Sequence, residues 1–329
     1  MTWHRGDGYP HAARSFGIQA MRRANDRAWA VAAILAAATC WGTIGTSYVL
    51  ILDRIAIDGI TVVTIRACAA VAVIWLWATL RDRSALRLPR EQLRTFVLFG
   101  SLSVTVNYVA LIYTFEATSV AVGTMLLFVA PAFVTLGAAR FFGERITRQK
   151  TVALTLTFGG VALVVRAYDL THLDLSLAGL GLGLLAAMSY ASYSLFAKSL
   201  LGQHSPASVV SYNLLIGAIG LIAIKLLLSP TEWPALRDVL LVAGYTGLVT
   251  TLIPLTLYTI GLRRLPSSEA SILSTFEPVV ALVLAATVLG ETMAAGQWLG
   301  ALCVLAGVTL LSWRWGQPRR WHAASRIAR

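Results

Sequence analysis

The stretch Pro131-Ala132-Phe133-Val134-Thr135-Leu136-Gly137-Ala138-Ala139-Arg140-Phe141-Phe142-Gly143-Glu144 decides how this chain is read, because its frame recurs. The second copy is Pro278-Val279-Val280-Ala281-Leu282-Val283-Leu284-Ala285-Ala286-Thr287-Val288-Leu289-Gly290-Glu291. In both, a proline stands inside a long apolar run and a Gly-Glu pair ends it. The copies lie 147 residues apart. Other positions keep that offset. Gly160 falls on Gly307, and Asp58-Gly59-Ile60-Thr61-Val62-Val63 falls on Ser205-Pro206-Ala207-Ser208-Val209-Val210, which sets Arg66 opposite Asn213. One offset held over so much chain marks an internal duplication.

Composition says in which solvent the duplication works. The 329 residues are 57% hydrophobic and 13% charged, against about 25% charged in a soluble domain. That excess of apolar surface belongs to a membrane protein. The net charge of +12 does not point to nucleic acid, because the charges fall in short clusters between apolar runs. Ten apolar runs are long enough for helical spans of about 20 residues: 28–52, 58–80, 93–114, 118–141, 149–167, 177–199, 206–229, 236–261, 267–289 and 296–315. In lipid only helices or closed barrels satisfy their own backbone, and runs of this length are helices. The first run is too long for a cleaved signal peptide. Residues 1–27 read as a disordered cytoplasmic tail, within which Met21-Arg22-Arg23 resembles an alternative start. Residues 316–329 read as a cytoplasmic basic tail.

Of the 27 lysines and arginines, 22 lie in the two tails and every second connection, and four (Arg54, Arg166, Lys225, Arg237) in the alternate connections. Arg66 lies inside a span. This bias sets both termini in the cytoplasm. Five spans per copy is an odd number, so the second copy enters the membrane from the opposite side. The expected fold is therefore an all-α membrane protein of ten transmembrane helices, arranged as two inverted-topology five-helix repeats, residues 28–167 and 177–315, around a central cavity. The loops agree with this. Glu144 is followed by Arg145, Arg148 and Lys150, whereas Thr292-Met293-Ala294-Ala295-Gly296-Gln297 after Glu291 carries no basic residue.

These features resemble the drug/metabolite transporter superfamily, in its EamA-type ten-helix branch. The residues that carry the likeness are Cys40-Trp41-Gly42, Arg66, the Pro131 to Gly143-Glu144-Arg145 run, and Leu265-Pro266-Ser267 through Glu277-Pro278 to Gly290-Glu291. Within that branch the chain is similar to YddG-type amino-acid exporters. The resemblance implies two inverted halves around a cavity and export of small organic molecules. One departure is Met188-Ser189-Tyr190-Ala191, where the family often has a tryptophan.

Cys40, Cys68 and Cys303 have no metal-ligand spacing, and the five histidines fall in tails and loops. Nothing in the sequence marks a phosphate loop, a catalytic triad or a cofactor site, so neither an enzyme nor a primary pump is expected. The informative residues are polar groups within spans, which are costly in lipid and face an interior. Glu277 lies midway along the ninth span beside Pro278, which leaves the Ser274 carbonyl without its helical donor. Ser267, Ser271 and Ser274 share that face. Glu277 reads either as a substrate or proton contact, or as a packed glutamate held by a neighbour. Arg66 reads as a carboxylate partner or as a structural group. Trp41 and Tyr48 on the first span, Asn107 and Tyr108 on the third, Tyr190 and Tyr193 on the sixth, and Tyr258 on the eighth complete the candidate substrate-binding lining. Glu144 and Glu291 read as turn-fixing residues, and Trp75, Trp77, Trp233, Trp313 and Trp315 as interfacial aromatics.

An amphipathic lining with few fixed charges suits neutral or zwitterionic solutes better than phosphates. The expected function is a secondary transporter in a bacterial inner membrane that exports small amphipathic metabolites, foremost neutral and aromatic amino acids, by alternating access. Proton coupling through Glu277 and plain facilitated diffusion both stay open. The alternatives are an exporter of lipophilic cationic drugs and, in another class, a non-transporting receptor or scaffold.

Overall fold

The computed structural model describes residues 10–52, 55, 57–88, 90–169, 176–228 and 233–312, and no strand occurs among them. Among the described residues the helices group into ten long units. α1 (Pro10–Gly42) continues through Ile44–Ser47 into a π-turn at Tyr48–Leu52. α2 is Gly59–Arg81, α3 Leu93–Ala117 and α4 Val120–Phe142. α5 is Arg148–Val164. α6 is Leu177–Leu200, α7 Pro206–Leu228, α8 Leu236–Arg264, α9 Ser267–Val288 and α10 Ala295–Ser312. Among the described residues, nine of these are long and apolar enough to cross a membrane, α1 counted from Asn25 to Leu50. This is an all-α membrane protein. α5 has 17 residues, about 26 Å of helix at 1.5 Å per residue, and falls just short of that length. The helical backbone of α1 reaches back to Pro10, into the segment expected as a disordered tail. The first nine residues, Arg54, Trp313, Trp315 and the basic tail 316–329 lie outside the described residues.

The duplicated frame has duplicated geometry. α4 breaks between Val120–Leu127 and Ala130–Phe142, and α9 breaks between Ser267–Ser274 and Glu277–Thr287. A proline cannot donate in a helix interior, so each unit stops and restarts with its proline in the new first turn, where no donor is needed. Each unit ends on a left-handed glycine, Gly143 at φ +64° and Gly290 at φ +69°. Side chains beyond glycine strain at that angle, which is why the frame closes on glycine.

Each half packs chiefly on the other. α1 lies against α8, α2 against α7, α3 against α6 and α5 against α10. The α5–α10 contact is between backbones: a Cβ on Gly160 would lie 2.6 Å from the Gly300 oxygen, and one on Gly300 2.5 Å from the Gly160 oxygen. Lipid supplies no hydrophobic drive between helices, so close van der Waals approach at small residues holds them. The two helices run antiparallel. Gln149 at the start of α5 donates to Leu310 O near the end of α10 at 2.5 Å, while Arg166 beyond α5 donates to Gln297 near the start of α10 at 3.1 Å.

Candidate functional site

Arg66 sits on α2 with 9% of its surface exposed. Its partners come from α8. Nε donates to Thr251 Oγ1 at 2.7 Å and Nη2 to the Thr250 carbonyl at 3.1 Å. In a regular α-helix that carbonyl would accept from residue 254, which is Pro254 and has no N–H. The same stretch of α8, Ala243–Leu252, is wound as a π-helix, a form common at functional sites. The guanidinium carbon lies 5.0 Å from the centre of the Tyr108 ring on α3, within cation–π range. Arg66 thus joins α2, α3 and α8, with Nη1 outside those bonds.

Glu277 begins the second segment of α9. It lies within electrostatic reach of Arg66 and of Tyr190 on α6. Both Glu277 and Tyr190 keep intermediate surface exposure. Aromatic rings stand around this region. Trp41 is 5.7 Å from Tyr258, Tyr258 6.1 Å from Tyr193, and Tyr193 5.3 Å from Phe99, centre to centre. The buried hydroxyls are satisfied between α6 and α8, Tyr193 with Thr259 at 2.6 Å and Tyr258 with Ser194 at 2.7 Å. The column continues through Phe96 and Tyr212 to Trp75. Tyr212 donates to the Leu86 carbonyl in the connection between α2 and α3 at 2.6 Å. The rings thus fill the bundle from its middle to its basic end.

The remaining candidates sit elsewhere. Tyr48 is 48% exposed at the far end of α1. Asn107 is buried, and its amide donates to the Ala186 carbonyl at 2.9 Å, tying α3 to α6. Ser274 turns its hydroxyl onto the Ser271 carbonyl of its own helix at 2.8 Å. Arg66 and Tyr108 therefore meet, and Trp41, Tyr258 and Tyr193 stand in one run of rings.

Sequence reasoning passed over the basic end. Glu144, read as a turn-fixing residue, reaches across to the other half. Its carboxylate accepts from Ser267 N at 2.6 Å, from Ser268 N at 3.3 Å and from Ser268 Oγ, and it pairs with Lys150 at 3.1 Å. Both charged side chains are nearly buried, 6% and 5% exposed. Burial alone would raise the Glu144 pKa; the Ser268 hydroxyl, the Lys150 charge and the Ser267 N–H outweigh it and hold the carboxyl below its ordinary value. The next residues of α9 are held too, Glu269 by Arg27 at 2.8 Å. Lys198 on α6 donates to the Leu262 and Leu265 carbonyls at 2.7 Å each. The signal that could have found this cluster is Ser267-Ser268-Glu269 at a helix start, since unpaired N–H groups there attract a carboxylate.

Comparison with known proteins agrees with the fold and names its kind. The chain is 30% identical over 69% of its length to an uncharacterized transporter of Archaeoglobus fulgidus, covering 77% of that protein. It is 28% identical over 68% of its length to the threonine/homoserine exporter RhtA of Salmonella typhimurium, covering 72% of it. A solved crystal structure superimposes with a TM-score of 0.75 at 16% identity, over 86% of this chain and 96% of that one. The family description "EamA-like transporter family" matches residues 28–166 and again residues 177–313, and with both matches spanning the duplicated frame the chain belongs to that family.

Proposed function

We propose that this protein exports neutral amino acids across a bacterial inner membrane, as a secondary transporter whose two inverted five-helix halves give alternating access to a central site. The observation that carries the substrate class is the pair Arg66 and Glu277, a base and an acid within electrostatic reach of one another in an interior otherwise lined by aromatic rings. A zwitterion presents a carboxylate and an ammonium group at short separation. Arg66 would take the first and Glu277 the second, with Trp41 and Tyr190 beside the side chain. The name of the Salmonella relative, a threonine/homoserine exporter, favours the same chemistry. The inverted arrangement is supported by the antiparallel packing of equivalent helices α5 and α10 and by the shared breaks in α4 and α9. The excess of basic residues at one end sets that end, and both termini, in the cytoplasm.

Purified protein in liposomes tests this reading. Counterflow of threonine, homoserine and aromatic amino acids is expected, and Arg66→Gln and Glu277→Gln each lower it. The rival reading is export of lipophilic cations, which the rings around Glu277 would suit. There only Glu277→Gln is harmful, and removing Arg66 aids uptake. Transport of cationic dyes together with silence for every amino acid would overturn the proposal. Orientation is checked with cysteines at Arg148 and Ala295, exposed positions 147 residues apart. They should label from opposite faces of the membrane.

A further inference from the structure

The frame is symmetric in sequence and asymmetric in structure. Glu144 and Glu291 are equivalent by the 147-residue offset, and each follows a left-handed glycine. Glu144 binds the start of α9 in the other half. The Glu291 side chain is exposed, with no hydrogen-bond or ion-pair partner among the described residues. The helix segments they face differ in the same sense. Ser267–Ser274 is buried at all eight of its residues. Its equivalent, Val120–Leu127, buries only Val122 and Gly123, and Val120 is 66% exposed. One end of the bundle is packed on the start of α9, whereas at the other end the start of α4 is left largely unpacked.

We propose that Glu144 and Glu291 are alternate latches of the transport cycle: Glu144 holds the cytoplasmic mouth shut on the start of α9, and Glu291 shuts the outer mouth on the start of α4 in the opposite state. This rests on the inverted-repeat reading above. Each latch is a carboxylate brought to a helix N-terminus, where unpaired N–H groups and the helix dipole favour negative charge.

The two latches are of unequal strength, and the sequence says why. The closed one uses the Ser267 and Ser268 N–H groups, the Ser268 hydroxyl and the Lys150 ammonium. At the equivalent positions stand Val120, Ala121 and Gln297. The outer latch keeps the two backbone donors and loses the hydroxyl and the cation. Gln297 is moreover engaged elsewhere, donating to the Val164 carbonyl at 3.0 Å and accepting from Arg166. The second ion pair at the cytoplasmic mouth, Arg27 with Glu269, has no outer copy either, since Val122 replaces Glu269. Differential interaction between two states sets their populations. The protein therefore rests with its outer mouth open, and the transient inward-open state is the one that Glu291 holds.

The test uses reporter cysteines in a full-length variant lacking Cys40, Cys68 and Cys303, with a membrane-impermeant maleimide applied from one side. The reporters are Ser271→Cys on α9 and, 147 residues earlier, Thr124→Cys on α4. At rest Thr124→Cys labels from outside and Ser271→Cys does not label from inside. Glu144→Gln raises inside labelling of Ser271→Cys roughly tenfold, the value of one charge-assisted hydrogen bond. The triple change V120S/A121S/Q297K installs the missing latch partners, lowers outside labelling of Thr124→Cys and slows export; its substitutions leave the packed cytoplasmic mouth untouched. Glu291→Gln keeps the resting labelling pattern and lowers turnover with little change in the half-saturating substrate concentration, and Glu291→Asp restores part of it. Wild-type turnover in Glu291→Gln, or outside labelling unchanged by the triple variant, overturns the latches. If Arg148→Cys and Ala295→Cys still label from opposite faces, only the latches have failed. If these two label from the same face, the inverted-repeat reading has failed with them.

Discussion

At Glu144 desolvation and bonding oppose each other, and bonding wins. The carboxyl is held below its ordinary value of 4.5 because Ser268, Lys150 and Ser267 favour its charged form more than burial disfavours it. A depressed pKa stabilises the folded protein at all pH values above the unfolded-state pKa, and that stabilisation is lost as pH falls through the folded one. The difference in thermal midpoint between wild type and Glu144→Gln should therefore be constant from neutral pH down to about 5. It should shrink only below the ordinary value of 4.5. A difference that instead faded between pH 8 and 6 would mean that Glu144 is not the charged partner of Lys150. Residues of this kind were the least legible in the sequence. Gly-Glu after a helix is equally compatible with a local turn and with a bond to another half, and only the placement of Ser267 and Ser268 beside it separates the two. Glu277 was legible, because a carboxylate inside an apolar run is costly wherever it lies.

At the scale of elements, the bilayer made most of the fold readable. Spans expected at 58–80 and 206–229 are helices Gly59–Arg81 and Pro206–Leu228, because lipid forces backbone groups to pair within the segment and leaves helix as the answer. The breaks in α4 and α9 were readable from Pro131 and Pro278. The π-helical stretch Ala243–Leu252 of α8 was not. It depends on Pro254 removing one donor and on Arg66, far away in sequence, supplying another. This interdependence makes a prediction. Pro254→Ala restores an N–H to the Thr250 carbonyl, competes with Arg66 Nη2 for it and lets α8 wind regularly. Removing a helix-interior proline is worth up to about 3 kcal/mol, so the thermal midpoint should hold or rise. Amino-acid counterflow should fall several-fold, because the guanidinium loses the bond that aims it. A variant that transports normally would show that the aim of Arg66 does not matter to transport.

For the whole molecule, duplication was written in the 147-residue offset, whereas which end of the bundle is packed was not, since a sequence carries both states of a cycle and a single structure holds one. What the structure adds is that the helix pairs α1–α8, α2–α7, α3–α6 and α5–α10 all join one half to the other. A half on its own would turn toward lipid the backbones that meet at Gly160 and Gly300 and would leave the Glu144 carboxylate without the Ser267 N–H that it accepts from. Lipid tails satisfy neither close backbone packing nor a carboxylate. The connection between Asp169 and Ser176 should by contrast matter little, because the cross-half contacts hold the two pieces in place without it. Residues 1–169 and 176–329, produced as separate chains in one cell, should co-purify through a tag on either and support counterflow at a rate comparable to the intact chain. Either piece alone should fail to accumulate as a monodisperse species in detergent. Stable, monodisperse accumulation of one piece without the other would mean that the halves are self-sufficient domains and that the interlocked packing is not what holds this transporter together.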